Sequence, residues 1–232
     1  MTTSTYEGLD SAVVLLSGGL DSSTLLHFVS RRLGIGNVRT MSFLYGQKHS
    51  RELEMAKWQA DNAGVVEHRE ADVSSLGDMI GAASALTGAS VAVPDLADID
   101  SESMAQPPTY VPNRNMILLS LAAAYAESNG IRDIFYGAQA QDRYGYWDCT
   151  SAFLNQINAV LALNRGTPVR VHAPFVDMSK ADVVKIGLAM GVDYSHTWTC
   201  YRGGGRPCGT CPSCMERLAA FEQAGAVDPS TA

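Results

Sequence analysis

The stretch Ala12-Val13-Val14-Leu15-Leu16-Ser17-Gly18-Gly19-Leu20-Asp21-Ser22-Ser23 decides the fold of this chain. Its first five residues are apolar and predict a buried strand. Apolar residues then recur at helical spacing as far as Leu33. A strand, a tight turn with two glycines and a helix therefore follow one another, which is typical of a parallel sheet covered by helices.

The same alternation of strands and helices continues along the chain. Further strands are expected over Val38 to Tyr45, Val65 to Val73, Ile134 to Tyr136 and Val169 to Val176. Helices are expected over Ser50 to Ala63, Met116 to Ser128, Ala152 to Leu163 and Ser179 to Met190. The pattern predicts an α/β fold with a doubly wound, parallel five-stranded sheet, and ligands are expected at the carboxyl ends of its strands.

Two regions have their own local signals. The segment Ser179-Lys180-Ala181-Asp182 has the form of a capping box that opens a helix. From Ser74 to Pro112 the periodicity fails and prolines accumulate, which predicts a long loop or lid with one short helix.

Composition restricts the class of protein. Seventeen basic and twenty-four acidic residues give a formal net charge of -7, which argues against a stable nucleic-acid partner because phosphate neutralisation needs clustered cations. The sequence contains no run of eighteen apolar residues and does not open like a signal peptide. We therefore expect a cytoplasmic protein without a membrane partner.

The glycine turn has the chemistry of an anion site. Its glycines allow backbone amides to approach an anion, a helix N-terminus follows, and three serine hydroxyls add donors. No Gly-Lys-Ser or Gly-Lys-Thr follows, and Gly-x-Gly-x-x-Gly is absent, so neither a Walker A loop nor a dinucleotide fingerprint is present. The alternative is an ordinary strand-to-helix turn with a capping side chain.

Four of the five cysteines form a cluster with the pattern Cys200-x7-Cys208-x2-Cys211-x2-Cys214. Four thiolates complete a tetrahedral structural Zn²⁺ site, and in a reducing compartment they favour metal over disulfides. A zinc ribbon that binds nucleic acid is the competing function. We divide the chain into a domain of residues 1–196 and a zinc-binding segment with a helix, residues 197–232. Cys149 stands apart as either a nucleophile or a small buried residue.

The turn Ser17 to Ser23 resembles the pyrophosphate loop of the N-type ATP pyrophosphatases. Further segments extend the resemblance over nearly the whole chain to the 7-cyano-7-deazaguanine synthase family: Phe43-Leu44-Tyr45-Gly46-Gln47 with Arg51-Glu52, Tyr110 to Asn115, Val192-Asp193-Tyr194 and the terminal cysteines. The resemblance implies that ATP is cleaved to AMP and pyrophosphate to activate the carboxylate of 7-carboxy-7-deazaguanine. Ammonia then gives the amide, and a second ATP drives dehydration to the nitrile.

The resemblance also implies roles for single residues. The nucleotide and Mg²⁺ would lie against Ser17, Gly18, Gly19, Leu20, Asp21, Ser22, Ser23, Phe43, Gln47 and Lys180. The catalytic candidates are Asp21, Arg114 and Lys180, and the candidates for binding the acid are Tyr45, Arg114, Gln141, Asp142, Tyr146 and Asp148.

Simpler explanations remain open for several of these residues at the sequence level. Arg114 could cap its own helix region, and Lys180 could be a solvated lysine in a first helical turn. The aromatic residues Phe43 and Tyr45 could belong to the core. The aromatic and polar loop from Gln139 to Asp148 suits a flat base, but it also suits a subunit contact.

Two positions depart from the family pattern: Trp147 stands where the family has Pro, and Thr150 stands where it has Arg. A hydroxyl cannot replace a guanidinium that pairs with an anion. A specialised relative, of the kind that resembles components of antiphage systems, is therefore the second hypothesis. Such an enzyme would stop at the amide or transfer the acyl group to another amine, including a protein N-terminus. The long loop and the apolar helices favour a homodimer.

Overall fold

The computed structural model describes residues 6–48, 51–88, 91–99, 106–142 and 145–231. Its strands are β1 (Ser11–Leu15), β2 (Asn37–Leu44), β3 (Glu67–Asp72), β4 (Asp133–Phe135) and β5 (Arg170–His172). All pairs are parallel, in the order β3-β2-β1-β4-β5. The chain winds outward from β1 in both directions, which confirms the doubly wound sheet and creates a crevice between the carboxyl ends of β1 and β4.

The helices lie close to the predicted positions. They are α1 (Leu20–His27), α2 (Arg51–Ala63), α3 (Ser75–Ile80), α4 (Arg114–Ser128), α5 (Ser151–Leu161), α6 (Lys180–Ala189) and α7 (Pro212–Gln223). The cap of α6 is confirmed, because the Ser179 hydroxyl accepts a hydrogen bond from the Asp182 amide. Of the helices in the described ranges, none has the length and apolar composition that crossing a bilayer requires.

Helices cover both faces of the sheet because successive strand residues point to opposite sides. In β1, Val14 belongs to a buried cluster with α1, α2, α6 and α7, whereas Val13 belongs to a second cluster with α4 and α5. The central strand is thus buried on both faces, as its unbroken apolar sequence predicts.

Two predicted segments need comment. The strand expected from Val169 to Val176 stops at His172, because Pro174 has no amide hydrogen to continue the ladder. Between Ser74 and Pro112 the described residues contain α3 and two short 3-10 turns, Gly81–Ala83 and Leu96–Asp98, as the loop prediction requires. Residues 89–90 and 100–105 of this region lie outside the described residues.

The C-terminal segment folds back onto the domain. Helix α7 packs against α6, and the Trp198 amide donates a hydrogen bond to the Gly18 carbonyl, 2.9 Å away. The segment that contains the cysteines is therefore joined directly to the turn after β1.

Candidate active site

The turn after β1 is held in shape by its own serines. The Ser17 and Ser22 hydroxyl oxygens lie 3.0 Å apart, and the Ser17 amide donates to the Ser22 hydroxyl. Helix α1 starts immediately afterwards, and its N-cap, Gly19, offers no side chain to the first amides. A preorganised turn with open amides at a helix N-terminus is suited to an anion such as phosphate.

The two glycines of the turn have different surroundings. Gly18 has φ of +79°, and a Cβ there would stand 2.1 Å from the Glu52 carbonyl oxygen and 2.6 Å from the Ala56 nitrogen. Gly18 therefore allows α2 to pack against the turn. At Gly19 the nearest atom to a Cβ is the Ser17 hydroxyl at 3.3 Å, and Gly19 lines the neighbouring cavity.

A cavity of about 700 Å³ lies at the carboxyl ends of the strands, where the topology predicts a ligand site. It brings together most of the residues predicted for the site: Ser17, Gly19, Leu20, Asp21, Ser22, Phe43, Tyr45, Gln47, Arg114, Gln141, Asp142, Tyr146 and Lys180. Gly18, Ser23 and Asp148 do not line it. Ser23 is fully buried, and its hydroxyl has no hydrogen-bond partner among the residues that the structure describes.

Lys180 lies between two carboxylates of the cavity wall. Its ammonium is 2.8 Å from Glu216 Oε2 and 3.7 Å from Asp21 Oδ2. Burial alone would lower the pKa of Lys180, but the surrounding carboxylates, Asp21 first, outweigh it and raise that pKa. The lysine is buried and charged, so the solvated-lysine explanation is wrong.

Asp21 has one oxygen without a partner. Burial raises the pKa of its carboxyl to about 6, opposed by the Lys180 ammonium. Its second oxygen, Oδ1, is buried and accepts no hydrogen bond in the described structure. A buried, unsatisfied carboxylate oxygen next to an anion site fits a ligand for Mg²⁺, which binds through carboxylates and phosphate oxygens.

Arg114 occupies the first position of α4, and its guanidinium lies 5.8 Å from the centre of the Tyr45 ring. The described residues place no carboxylate within ion-pairing distance of it. An arginine that lines a cavity without an acidic partner can bind an incoming carboxylate or phosphate through both of its terminal nitrogens.

Gln47, which is predicted to lie against the nucleotide, forms hydrogen bonds with the backbone at the end of β2. Gln47 accepts a hydrogen bond from the Tyr45 amide at 2.7 Å and donates one to the Phe43 carbonyl at 3.1 Å. Its side chain thus occupies the Tyr45 amide and the Phe43 carbonyl at the end of the strand. Phe43 and Tyr45 belong to the buried core and also line the cavity.

The loop after β4 presents Gln141, Asp142 and Tyr146 to the cavity. Asp142 accepts hydrogen bonds from the amide and the side chain of Gln139, and Gln141 Oε1 accepts one from the Lys180 amide. Arg143 and Tyr144 lie outside the described residues. The loop is therefore tied to the start of α6 by the hydrogen bond between Gln141 and Lys180.

Asp148 forms a hydrogen bond with the first turn of α4, which carries Arg114. It is buried, and its Oδ2 accepts a hydrogen bond from the Asn115 amide at 2.9 Å, in the first turn of α4. The carboxylate favours that helix N-terminus and holds the turn that presents Arg114. Asp148 does not line the cavity, and the direct contact with the acid that the resemblance implies stays a prediction.

The two departures from the family pattern both have structural roles. Thr150 is the N-cap of α5 and accepts a hydrogen bond from the Phe153 amide at 3.1 Å. Trp147 donates from its indole to the Tyr110 hydroxyl at 2.7 Å and packs edge-on against Phe153. Neither side chain lines the cavity.

Cys149 lines the cavity and is buried. Burial, together with the carboxylates of Asp142 and Asp148, raises the pKa of its thiol. A thiol held in its neutral form is a poor nucleophile, so the buried-residue explanation fits better than the catalytic one.

The four remaining cysteines come together as their spacing predicts. Their sulfur atoms all lie within 4.8 Å of one another, and those of Cys208 and Cys214 are 3.9 Å apart. Four thiolates around one tetrahedral Zn²⁺ stand about 3.8 Å apart, given a Zn–S bond of about 2.3 Å. The cluster therefore fits a single metal ion.

The cysteine segment forms one wall of the cavity. Residues on both sides of the cysteines line it: Trp198, Thr199, Tyr201, Pro212, Ser213 and Glu216. Arg51 of α2 lies over the Trp198 ring and donates hydrogen bonds to the carbonyls of Gly204 and Gly205. Sequence reasoning missed this wall, because the spacing of the cysteines identifies a metal site but not its neighbours.

Glu52 is a further cavity residue to which sequence reasoning assigned no role. It lies in the first turn of α2, and burial raises its pKa to about 7, opposed by the nearby Arg114 guanidinium. The pair Arg51-Glu52 is part of the family resemblance, but an acidic residue in a first helical turn is common, so its type and position alone indicate no role.

Comparison with protein families gives a match over almost the whole chain. The model of the family described as "Queuosine biosynthesis protein QueC" matches residues 11–225. A protein of Chromohalobacter salexigens named 7-cyano-7-deazaguanine synthase is 48% identical over 224 residues, which cover 96% of this chain and 86% of that protein. A protein of the same name from Archaeoglobus fulgidus is 48% identical over 219 residues, covering 94% and 88%.

Solved structures support the fold at much lower identity. An NMN synthetase from Francisella tularensis aligns with a TM-score of 0.52 and 12% identity, over 97% of this chain and 87% of that one. The U34-tRNA thiolase NcsA from Methanococcus maripaludis, solved with its [4Fe-4S] cluster, aligns with a TM-score of 0.50 and 12% identity, over 81% of this chain and 58% of that one.

Proposed function

Because the chain belongs to the QueC family of queuosine biosynthesis proteins, we propose that it converts 7-carboxy-7-deazaguanine and ammonia, through the amide, to 7-cyano-7-deazaguanine. ATP is cleaved to AMP and pyrophosphate in each of two activations. The observation that carries this proposal is the 700 Å³ cavity, in which the anion-binding turn, Arg114 and Lys180 face the same space.

The turn Ser17 to Ser23 binds the phosphates of ATP in this proposal. Its amides and the start of α1 favour negative charge. Asp21 Oδ1 would hold Mg²⁺, which neutralises charge on the phosphate oxygens when it is bound. Lys180 lies 3.7 Å from Asp21 and adds a buried positive charge for the charge that develops on the departing pyrophosphate.

Arg114 holds the carboxylate of the acid. One carboxylate oxygen attacks the α-phosphorus, the bond to the β-phosphate oxygen breaks, and pyrophosphate leaves with that electron pair. Ammonia then attacks the acyl carbon, AMP leaves, and the nitrogen loses a proton, which gives the amide. In the second activation the amide oxygen attacks a new α-phosphorus, and loss of AMP and the nitrogen protons leaves the nitrile.

The aromatic side of the cavity suits a flat base. Tyr45 and Tyr146 line it, and Gln141 and Asp142 add polar groups that can contact the edges of a ring. These residues remain proposals for binding the acid.

We propose Zn²⁺ as the ion of the four-cysteine cluster. A [4Fe-4S] cluster binds each thiolate to a different iron, so its ligand sulfurs stand farther apart than four sulfurs on one ion. The short Sγ distances here favour the single ion. The zinc stabilises residues 197–232 as a segment attached to the domain of residues 1–196. A cytoplasmic homodimer remains our expectation for the assembly.

The second hypothesis is a specialised enzyme that stops at the amide or transfers the acyl group to another amine, such as a protein N-terminus. It rests on Trp147 and Thr150. Both side chains are engaged in local structure and lie outside the cavity lining, so no group of the described cavity points to this second reaction. We therefore rank it below the nitrile synthase.

One assay tests the proposed reaction. The protein is incubated with ATP, Mg²⁺, 7-carboxy-7-deazaguanine and ammonium. The products of the base are then identified by mass spectrometry, and the AMP released is quantified. We expect the nitrile with two AMP released for each one formed. The amide with one AMP would support the second hypothesis, and release of ADP, or of no nucleotide product, would refute both.

A further inference from the structure

The substrate base has an edge that demands an acceptor from the protein. A 2-amino-4-oxo pyrrolopyrimidine presents two adjacent N–H donors, the ring amide and the exocyclic amine. A carboxylate accepts both donors with its two oxygens. The cavity should therefore contain one carboxylate that the protein leaves free.

Most acidic residues of the cavity are already engaged. Those of the described lining are Asp21, Glu52, Asp98, Asp142 and Glu216. Asp21 and Glu216 face Lys180, Asp142 accepts hydrogen bonds from Gln139, and Asp98 is exposed to solvent.

Glu52 is different from the other four. It is only partly accessible, and its carboxylate makes neither a hydrogen bond nor an ion pair with the described residues. Its backbone carbonyl packs against Gly18, so the residue stands beside the phosphate-binding turn. A largely desolvated carboxylate without a partner is costly unless a ligand supplies donors.

Arg114 is the matching unpaired cation. Glu52 and Arg114 line the same cavity and are close enough for each to influence the charge state of Tyr45. Yet the two groups do not form a salt bridge. Two desolvated opposite charges that remain apart suit a ligand with a carboxylate at one end and N–H donors at the other.

We propose that Glu52 is the specificity-determining residue that accepts hydrogen bonds from the ring amide and the exocyclic amine of the substrate base, while Arg114 binds its carboxylate. This inference rests on the proposed function. It assigns the edge with the two N–H donors to α2, and the loop after β4 keeps its proposed contacts with the rest of the ring.

The test pairs a change in the protein with a change in the ligand. The variant Glu52→Gln keeps the side-chain volume but replaces one acceptor with a donor. The ligands are 7-carboxy-7-deazaguanine and the analogue with hydrogen in place of the 2-amino group. Glu54→Gln is the matched control, because Glu54 lies in the same helical turn and is exposed.

Calorimetry should show that the wild type binds the analogue roughly 10- to 100-fold more weakly than the acid, as expected for hydrogen bonds to a charged acceptor. Glu52→Gln should bind the acid more weakly by a similar factor, and should no longer distinguish the two ligands. ATP should bind equally to Glu52→Gln, Glu54→Gln and the wild type. Glu52→Asp, which keeps the carboxylate, should recover part of the discrimination.

Several results would overturn the assignment of Glu52. They are undiminished discrimination in Glu52→Gln, weakened binding of ATP by that variant, or a wild type that binds both ligands equally. The last comparison needs no variant, so it remains valid if a substitution prevents folding. In each of these cases the proposed function stands if the wild type binds the acid and forms AMP. If the wild type does neither, the proposed function itself is refuted.

Discussion

Replacement of Arg217 by Ala should destabilise the C-terminal segment strongly. Arg217 and Asp228 form a buried ion pair, with Nε to Oδ2 at 2.7 Å and side-chain exposures of 4% and 2%. The same guanidinium donates hydrogen bonds to the Tyr194 carbonyl and to the hydroxyls of Thr197 and Thr199. The change removes the guanidinium from a buried carboxylate and from three neutral acceptors, and Asp228 keeps the hydrogen bonds from the Ser230 amide and hydroxyl.

The expected loss is about 3–5 kcal/mol in the free energy of unfolding, the usual cost of removing one partner of a buried pair. For a chain of this size that corresponds to a melting temperature lower by about 6–20 °C. The double variant Arg217→Ala with Asp228→Ala should lose less than the sum of the single changes, because no uncompensated charge remains.

The loss should also depend on pH with a definite sign. Burial raises the pKa of Asp228, but Arg217 outweighs it, and the pKa is lowered overall. The stabilisation from the pair is therefore present above the ordinary aspartate pKa of about 4 and is lost as the pH falls through the lowered value. In Arg217→Ala the lowering effect of the guanidinium is lost, while burial and the hydrogen bonds from Ser230 remain, so the pKa of Asp228 rises. The difference in the free energy of unfolding between wild type and variant should therefore narrow as the pH falls from neutral through that higher pKa.

Urea unfolding followed by circular dichroism at several pH values measures both effects. If wild type and Arg217→Ala differ by less than about 1 kcal/mol in the free energy of unfolding at neutral pH, the pair is no stronger than a surface ion pair and the reasoning is refuted. A difference that widens on acidification would contradict the sign. Because Thr197 and Thr199 flank Trp198, which bonds to Gly18, we also expect a higher KM for ATP in the variant.

Four further predictions concern the site. Gly18→Ala should abolish ATP binding and lower the melting temperature, because its Cβ would stand 2.1 Å from the backbone of α2. Gly19→Ala should fold normally, and equal melting temperatures of the two variants would refute this packing argument. Lys180→Met should slow pyrophosphate release about 10²–10³-fold, and an unchanged rate would show that the lysine has no electrostatic role. Thr150→Arg, which restores the family residue, should lower the free energy of unfolding by about 1 kcal/mol, because the helix cap is lost. The reaction product should stay the same, and a new product in mass spectrometry would contradict this prediction. Removal of the cysteine-bound metal by a chelator should change Trp198 fluorescence, lower the melting temperature and stop AMP formation. An unchanged melting temperature of the metal-free protein would contradict a structural role for the metal.

The sequence alone predicts the order of elements well, because their signals are local. Apolar periodicity and the glycine turn define β1 and α1 within a dozen residues, and the spacing of Cys208, Cys211 and Cys214 identifies a thiolate cluster. The length of β5 was wrong because the prediction followed apolar residues past Pro174. The role of Gln47 in binding the nucleotide stays a prediction: the residue lines the cavity, and its side-chain amide also bonds to the end of β2.

The sequence by itself thus determined the sheet, the anion-binding turn and the cysteine cluster, because each depends on neighbours along the chain. Only the tertiary structure decided what faces the cavity. It brings Glu216 of α7 to 2.8 Å from Lys180 of α6 and places Trp198 against the turn after β1. It also places Glu52 in the cavity wall, where no other described residue forms an ion pair with it. The burial and pairing of a charged side chain depend on segments that are distant in sequence, and no local pattern records them.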